Sequence, residues 1–575
     1  MGPLVFLVAL AVYAFTAAPA LSWLDAAEFS TAAHSLAVAH PPGHPIPSLL
    51  GRLLLYLPLG EAAFRVNLAS ALAGALAVLA TYHAARAVAV RLAPVRPSTL
   101  LAAGFALGFA FAGAAWEQAA RAEVYALQAA LLVAALAWSV AWALDRDARS
   151  LLAATFATGL ALANHHFIAV CFFVPVGVIV LAARPGIAAA GRLATIGVLG
   201  LAAYLYLPLR AARDVLGWGD ADRLAPFLWT VTAQAFQKAI GNQAPPFAER
   251  LADVATALVD NLSLPVTALA LLGAYALVRR ARSAGLVLAG VALCAALGRA
   301  LVGFDADNPD ALGYLLPAIA ALFVLGGAGA AALVALAPRL ALALAAVALL
   351  VPAAQLWRFG GAVSYRGGEA ADSYARAVVA VPPNALVVTS YYETHFLGVA
   401  AQRLEGERPD VTIIDRNLLT HPYAPAAARR RNAELVALID APLVGGRRTP
   451  VAALAAVGRP VGLELAPNLD ADDPVLGALV PRGLLAWLGP VADRGAAEAT
   501  DAAAFAALER SLRTTSAIDR HGADRLLAWE AYVRARFYCL IGRPSAARGA
   551  AAGLPRDDTM LAPLSRCLFP APPSR

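Results

Sequence analysis

Charge is what this sequence has least of. Only 14% of its 575 residues are charged, and lysine is almost absent, so arginine supplies nearly all of the net +7. About a quarter of the residues in a soluble domain are charged, which excludes an ordinary soluble protein. Four cysteines cannot frame a chain of this length with disulfides, and no CxxC or Cys/His metal spacing is present. Cys171 and Cys294 fall in apolar runs and read as buried thiols; Cys539 and Cys567 could pair if the polar C-terminal part faces an oxidising compartment. No basic residue precedes the first apolar run, Pro3 to Leu21, so it reads as a retained helix and not as a cleaved signal peptide. No internal repeat is present. The arginines lie mostly in short loops between apolar runs, which speaks for topology and against a nucleic-acid partner.

What is abundant is apolar. Hydrophobic residues make up 60% of the chain and the mean hydropathy is +0.67. Runs long enough, or nearly so, to cross a bilayer lie near residues 3–22, 63–84, 98–115, 123–144, 151–163, 166–183, 193–209, 260–278, 284–301, 311–335 and 339–357. The expected fold class is therefore mainly α, a polytopic membrane protein with about eleven membrane helices. The fifth run is too short to cross alone, so runs five and six are expected to form a broken or re-entrant pair. Alternate connections differ in arginine: one set holds Arg86, Arg91, Arg96, Arg146, Arg149, Arg184, Arg192, Arg279, Arg280, Arg282 and Arg339, the other only Arg52, Arg65, Arg121 and Arg299. Positive residues stay cytoplasmic during insertion, which puts the N-terminus in the cytoplasm and the loop from Asp25 to Pro47 outside. The arginine-rich, lysine-poor composition suggests a GC-rich bacterial genome and hence the inner membrane. Residues 1–357 are expected to form the membrane domain, with outer loops at about 23–62 and 210–259. Residues 358–575 should form an extracytoplasmic domain, α/β to about 470 and helical after about 500. There, Ala385 to Ser390 and Val411 to Asp415 read as strands around a helix from Thr394 to Leu404.

The chain is organised around the stretch Trp23 to Pro47. Asp25 and Glu28 stand three residues apart, on one face of a helix, and His34, His40 and His44 follow, the last two inside a proline- and glycine-stiffened turn. A helix cap requires less than this. In the same topology, Glu117 to Glu123, Asn164 to His166, Arg210 to Asp260 and Asp305 to Asp310 also reach the outer face. Charges at a membrane border cost roughly 2.5–3.5 kcal/mol each on insertion scales, so their convergence on one side points to a shared site.

The strings DAAEF and HPPGHP, followed in order by RAEVYAL at 121–127, GLALANHH at 159–166, YLYLPLRAA at 204–212 with WGD at 218–220, GYLLPA at 313–318, VVTSYYETHF at 387–396 and ERPDVTIID at 407–415, carry a resemblance. The chain resembles the transmembrane protein 260 family of protein O-mannosyltransferase-like proteins, classed as glycosyltransferase family 117. The resemblance implies a GT-C type fold, with an acidic catalytic motif in the first outer loop and a polyprenyl-phosphate sugar as donor. The sequence departs from the family pattern at Ala27, where glycine is usual, and at Tyr391, Tyr392 and Glu393, where the family is rich in Asn and Asp.

Sugar transfer to a hydroxyl needs a base at the acceptor and positive charge at the departing phosphate. Asp25 is the candidate base and Glu28 the reserve. Arg121 and Arg210 are the candidates for the phosphate, oriented by Glu123 and Asp220 respectively. His40, His44, His165 and His166 could contact phosphate or acceptor. No cofactor and no metal are expected, although Asp305, Asp307 and Asp310 could hold a divalent cation. Trp116, Trp218, Trp229 and Tyr125 are candidates to line the sugar or prenyl path. The expected partners are the lipid-linked donor, a protein or glycan acceptor and membrane lipid. Competing readings are transfer to a lipid or envelope glycan, a transporter or flippase, and a non-catalytic scaffold.

Overall fold

Every apolar run becomes helix in the computed structural model, which describes residues 1–213, 215–237, 245–305, 308–440, 451–490, 493–554 and 559–569. Among them seven helical spans are long and apolar enough to cross a membrane: Ala62–Leu92, Tyr125–Asp145, Ala148–Ala183, Ile187–Arg210, Arg282–Val302, Leu316–Leu336 and Pro338–Phe359. Two bent pairs raise the number to nine. Ser98–Ala110 meets Gly113–Ala119 at 66°, and Phe247–Leu262 meets Leu264–Arg280 at 101°. The chain is an integral membrane protein, with fewer long spans than the eleven runs suggested. Two differences account for this. The first helix, Gly2–Thr16, has only 15 residues, short of the roughly 20 a crossing needs. Runs five and six share the span Ala148–Ala183, which as an unbroken helix would be about 54 Å long, well beyond the hydrocarbon core.

That span is broken where the sequence placed its polar residues. His165 has extended backbone, φ −155° and ψ 89°. The leg before it packs on the helix Ile187–Leu201, where a Cβ on Gly159 would lie 2.1 Å from the Gly197 carbonyl oxygen. The leg after it packs on Arg282–Val302, with Val174 against Gly290. Gln128 donates to the His165 carbonyl at 3.1 Å, supplying a partner for backbone left free by the break.

Leu316–Leu336 is the most enclosed span. It approaches Leu264–Arg280 so closely that a Cβ on Gly273 or Gly329 would stand 1.9 or 2.0 Å from a carbonyl oxygen of the opposite helix. Only glycine permits that distance, and close backbone approach is what holds helices together where lipid removes the hydrophobic drive.

The part of the chain after Phe359 carries a five-stranded sheet in the order β2-β1-β3-β5-β4. β1 (Leu386–Thr389), β2 (Thr412–Asp415) and β3 (Val461–Leu463) are parallel; β4 (Leu479–Arg482) and β5 (Leu485–Leu488) form an antiparallel hairpin on β3. The helix between β1 and β2, Tyr392–Leu404, matches the expected βαβ order. The sheet runs on to residue 488, past the expected end near 470, because strands of three or four residues leave no readable alternation. Helices Arg494–Ser511 and Ala517–Leu540 follow, and Cys539 and Cys567 form a disulfide. One apolar core joins residues of the membrane helices to Ala370, Tyr374, Phe396 and Leu526, so the soluble part is seated on the bundle.

Candidate active site

The loop that follows the first helix folds back on itself through backbone that few residues adopt. After the helix Ala26–Ser35, which ends on left-handed Leu36, the chain passes a cis Pro41–Pro42 bond and Gly43 at φ 97° before Pro45 opens the helix Pro45–Leu54. Gly43 is required twice, by its φ and because a Cβ would sit 2.8 Å from Leu207. This return brings His40 onto Glu28. The His40 backbone N–H donates to Glu28 Oε1 at 2.6 Å, and His40 Nδ1 stands 2.9 Å from Oε2. Trp218 Nε1 donates to the same Oε1 at 2.8 Å. Glu28 is wholly buried and both its oxygens are occupied, so it acts as the holder of His40.

Asp25 differs. The residue is half-buried, and its carboxylate accepts no hydrogen bond from the protein among the described residues. It is shared by two clusters whose polar atoms all lie within 4.8 Å: Asp25 with Glu28 and His40, and Asp25 with Glu123 and Asp310. Burial, with Asp310 and Glu28 nearby, pushes its carboxyl up to about 7 against the pull of His40 and Arg121. Burial works against a charged His40, but Glu28 and Asp25 outweigh it and raise the imidazole to about 9. Burial and the neighbouring His40 and His165 hold His44 well below the ordinary histidine range, hence neutral.

Arg121 is fully buried and knits the second cluster, donating to Glu123 at 2.9 Å and also to Asp310. The expected Arg121–Glu123 pairing is present. The arrangement of carboxylates could hold a cation, but the guanidinium already supplies positive charge to Glu123 and Asp310. Asp305 lies exposed on the adjoining loop, and Asp307 is outside the described residues.

Arg210 and Asp220 take other positions. Arg210 donates to the carbonyl oxygens of Leu36 and Ser35, capping the far end of the helix that Asp25 begins. Ten helical residues separate the two ends, about 15 Å. Asp220 does not orient Arg210; it pairs with Arg430 and Arg431 of the soluble part. The sequence could not reveal this, since those arginines lie 210 positions away.

The histidines form a row. His40 and His44 ring centroids are 4.7 Å apart, and His165 is 5.8 Å beyond His44. His44 Nδ1 meets the Asn164 carbonyl at 2.8 Å, leaving its buried Nε2 without a partner, as is His165 Nδ1. His165 packs 5.0 Å from Tyr314 and 5.9 Å from Tyr125, and Arg299 lies 4.4 Å over the Tyr314 ring. His166 turns aside to Phe167, and the His34 carbonyl accepts from Arg52. Trp218 stacks between Phe396 and His421, and Trp229 faces His421 and Tyr423, so these two join the soluble part to the loop. Trp116 donates to Thr16 at 2.8 Å inside the bundle.

Sequence reasoning missed Asn67, Arg299 and Tyr314. Asn67 Oδ1 accepts from Ala122, and its Nδ2 donates to Ala18 and Ala20, tying three segments around the site. An asparagine inside an apolar run was the available signal. Arg299 was read only as a topology marker.

Residues 25–186 match the family model for the N-terminal domain of protein O-mannosyl-transferase TMEM260. The match begins at Asp25 itself. The chain is also 29% identical over 463 residues to the mouse protein O-mannosyl-transferase TMEM260, an alignment covering 74% of this chain. It spans 64% of that relative's length. Among solved structures, ArnT from Cupriavidus metallidurans bound to undecaprenyl phosphate aligns with a TM-score of 0.49 and 15% identity, over 72% of this chain and 90% of that one. Its apo form aligns at 0.47 and 16%, over 72% and 89%. The family model covers the strings from DAAEF to GLALANHH, and the alignment with the mouse relative extends over more of the chain.

Proposed function

We propose that this protein is a membrane glycosyltransferase that moves a sugar, mannose by analogy with its mouse relative, from a polyprenyl phosphate to a hydroxyl of a secreted or periplasmic protein. The observation that carries the reading is Asp25, a half-buried acid whose carboxylate accepts no protein hydrogen bond among the described residues and whose proton affinity lies near neutrality. In the reaction the acceptor oxygen bonds to the anomeric carbon as the carbon–oxygen bond to phosphate breaks. The hydroxyl proton passes to Asp25, and the electron pair leaves on the polyprenyl phosphate. Positive charge for that phosphate comes from the His40 imidazolium and from Arg299. Arg121 serves indirectly, by keeping Glu123 and Asp310 paired beside Asp25.

The site and the soluble domain face the extracytoplasmic side of a bacterial inner membrane, with the N-terminus in the cytoplasm. The arginine bias of alternate loops and the Cys539–Cys567 disulfide support this orientation. The test is incubation of the purified protein in nanodiscs with a panel of polyprenyl-phosphate sugars and an acceptor polypeptide. Transfer by wild type and none by Asp25→Asn is the expected result. Equal product from both would overturn the assignment of Asp25, and no turnover of any lipid-linked sugar would overturn the enzyme class.

A further inference from the structure

We infer that the soluble domain positions the catalytic carboxylate: Glu393, braced by Arg525, holds the backbone turn at Leu24 that presents Asp25, while Asp519 anchors Trp23 beside it. The inference rests on Asp25 acting as the base.

Leu24 stands at φ 61°, in the left-handed region. A leucine holds this conformation only where the surroundings enforce it. The enforcing group is remote in sequence. The Leu24 N–H donates to Glu393 Oε1 at 2.6 Å, the short length of a charge-assisted bond. Glu393 is buried, and Arg525 grips both its oxygens at 2.8 and 2.7 Å while donating to the Tyr391 hydroxyl at 2.8 Å.

The preceding residue is held as firmly. Trp23 is buried, and its Nε1 donates to Asp519 Oδ1 at 2.8 Å and to the Asp519 carbonyl at 3.0 Å. The other Asp519 oxygen accepts from the Ala370 N–H at 2.9 Å. A Cβ on Gly522 would fall 2.2 Å from the indole, so the helix Ala517–Leu540 is fitted against Trp23. The two residues just before Asp25 are therefore fixed by three helices of the soluble domain, Ala370–Val379, Tyr392–Leu404 and Ala517–Leu540. Glu393 and Arg525 are positioning residues, and Glu393 occupies a place where the sequence departs from the family pattern.

The experiment uses the full chain in nanodiscs, with Glu393→Ala, Arg525→Ala, the double variant and Glu393→Gln. A misplacement of about 1 Å costs on the order of 100-fold. Glu393→Ala is expected to lower kcat by roughly 10- to 100-fold with both KM values within about twofold, and the double variant to be no worse than Glu393→Ala. Glu393→Gln keeps an oxygen for the Leu24 N–H and should recover to within about fivefold of wild type. Hydrogen exchange of the segment 22–29 is read on the same samples and should quicken in Glu393→Ala while exchange in Leu316–Leu336 stays unchanged. Wild-type kcat together with unaltered exchange in Glu393→Ala would overturn the inference, as would additive losses in the double variant. Should Glu393→Ala fail to fold, Glu393→Gln and Arg525→Ala decide by the same readouts. If wild type transfers no sugar, the enzyme reading falls on its own and the exchange measurement still tests the clamp.

Discussion

Two desolvated acids, one in each half of the molecule, differ in whether the protein occupies their oxygens. Burial pushes Glu464, just after β3, up to about 7, as it does Asp25 in the loop after the first helix. The difference lies in their partners. Glu464 accepts from the backbone N–H groups of Ser390 and Tyr391 and from the Thr394 hydroxyl, closing the start of the helix Tyr392–Leu404. Asp25 also stands at a helix start, yet it is partly exposed and accepts none of these bonds. A displaced proton affinity therefore marks a desolvated group, and only the open valence marks the one able to take a proton from a substrate.

The largest expected effect breaks that comparison directly. Asp25→Asn should reduce transfer by about 10²–10⁴-fold, whereas Glu464→Ala, which loosens the start of the helix carrying Glu393 without touching Asp25, should lose no more than the roughly 10- to 100-fold expected of Glu393→Ala; lipid-linked transfer assays compare the two. Because burial raises the folded proton affinity of Asp25 from 3.8 to about 7, stability falls as pH rises between those two values and the loss is complete above about pH 7. Asp25→Asn should accordingly melt no lower than wild type at pH 8.

Next in size is Glu28→Ala, which strips the charged partner from His40 and an acceptor from Trp218. Removing one member of a buried pair costs about 3–5 kcal/mol, so denaturant midpoints should fall well below those of Asp25→Asn. The pH profile sharpens the contrast further. Asp25 must be ionised and His40 protonated, so kcat/KM should rise through about pH 7 and fall through about pH 9. Both limbs should persist in Glu464→Ala, in which the donors left unpaired cost about 1–3 kcal/mol of stability. The smallest effect is expected from Arg210→Gln, with a loss of about 1 kcal/mol and an unchanged KM for the donor, since Arg210 caps backbone carbonyls.

The transmembrane runs were legible because a segment that crosses lipid must satisfy its own backbone and be apolar over most of its length, and that requirement is local. The first βαβ unit was legible for a similar reason, through VVTS and VTIID. Glu28 and His40 could be named from composition, but not that Glu28 binds His40, since the 12-residue return depends on Gly43 and the prolines finding Leu207. Arg210 and Asp220 look alike in sequence to Arg121 and Glu123, yet one pair forms and the other does not.

The sequence by itself determined that the chain lives in a membrane, that its polar residues gather at a few borders, and that Asp25 opens the segment they surround. Periodicity, hydropathy and charge scarcity act over one or two turns of chain and need no partner to be read. Only the tertiary structure decided which acid stays open, which arginine is already engaged, and that residues some 370 to 500 positions away set the turn before Asp25. Those outcomes depend on which distant donors arrive at each buried oxygen, a matter of packing geometry that no local pattern encodes.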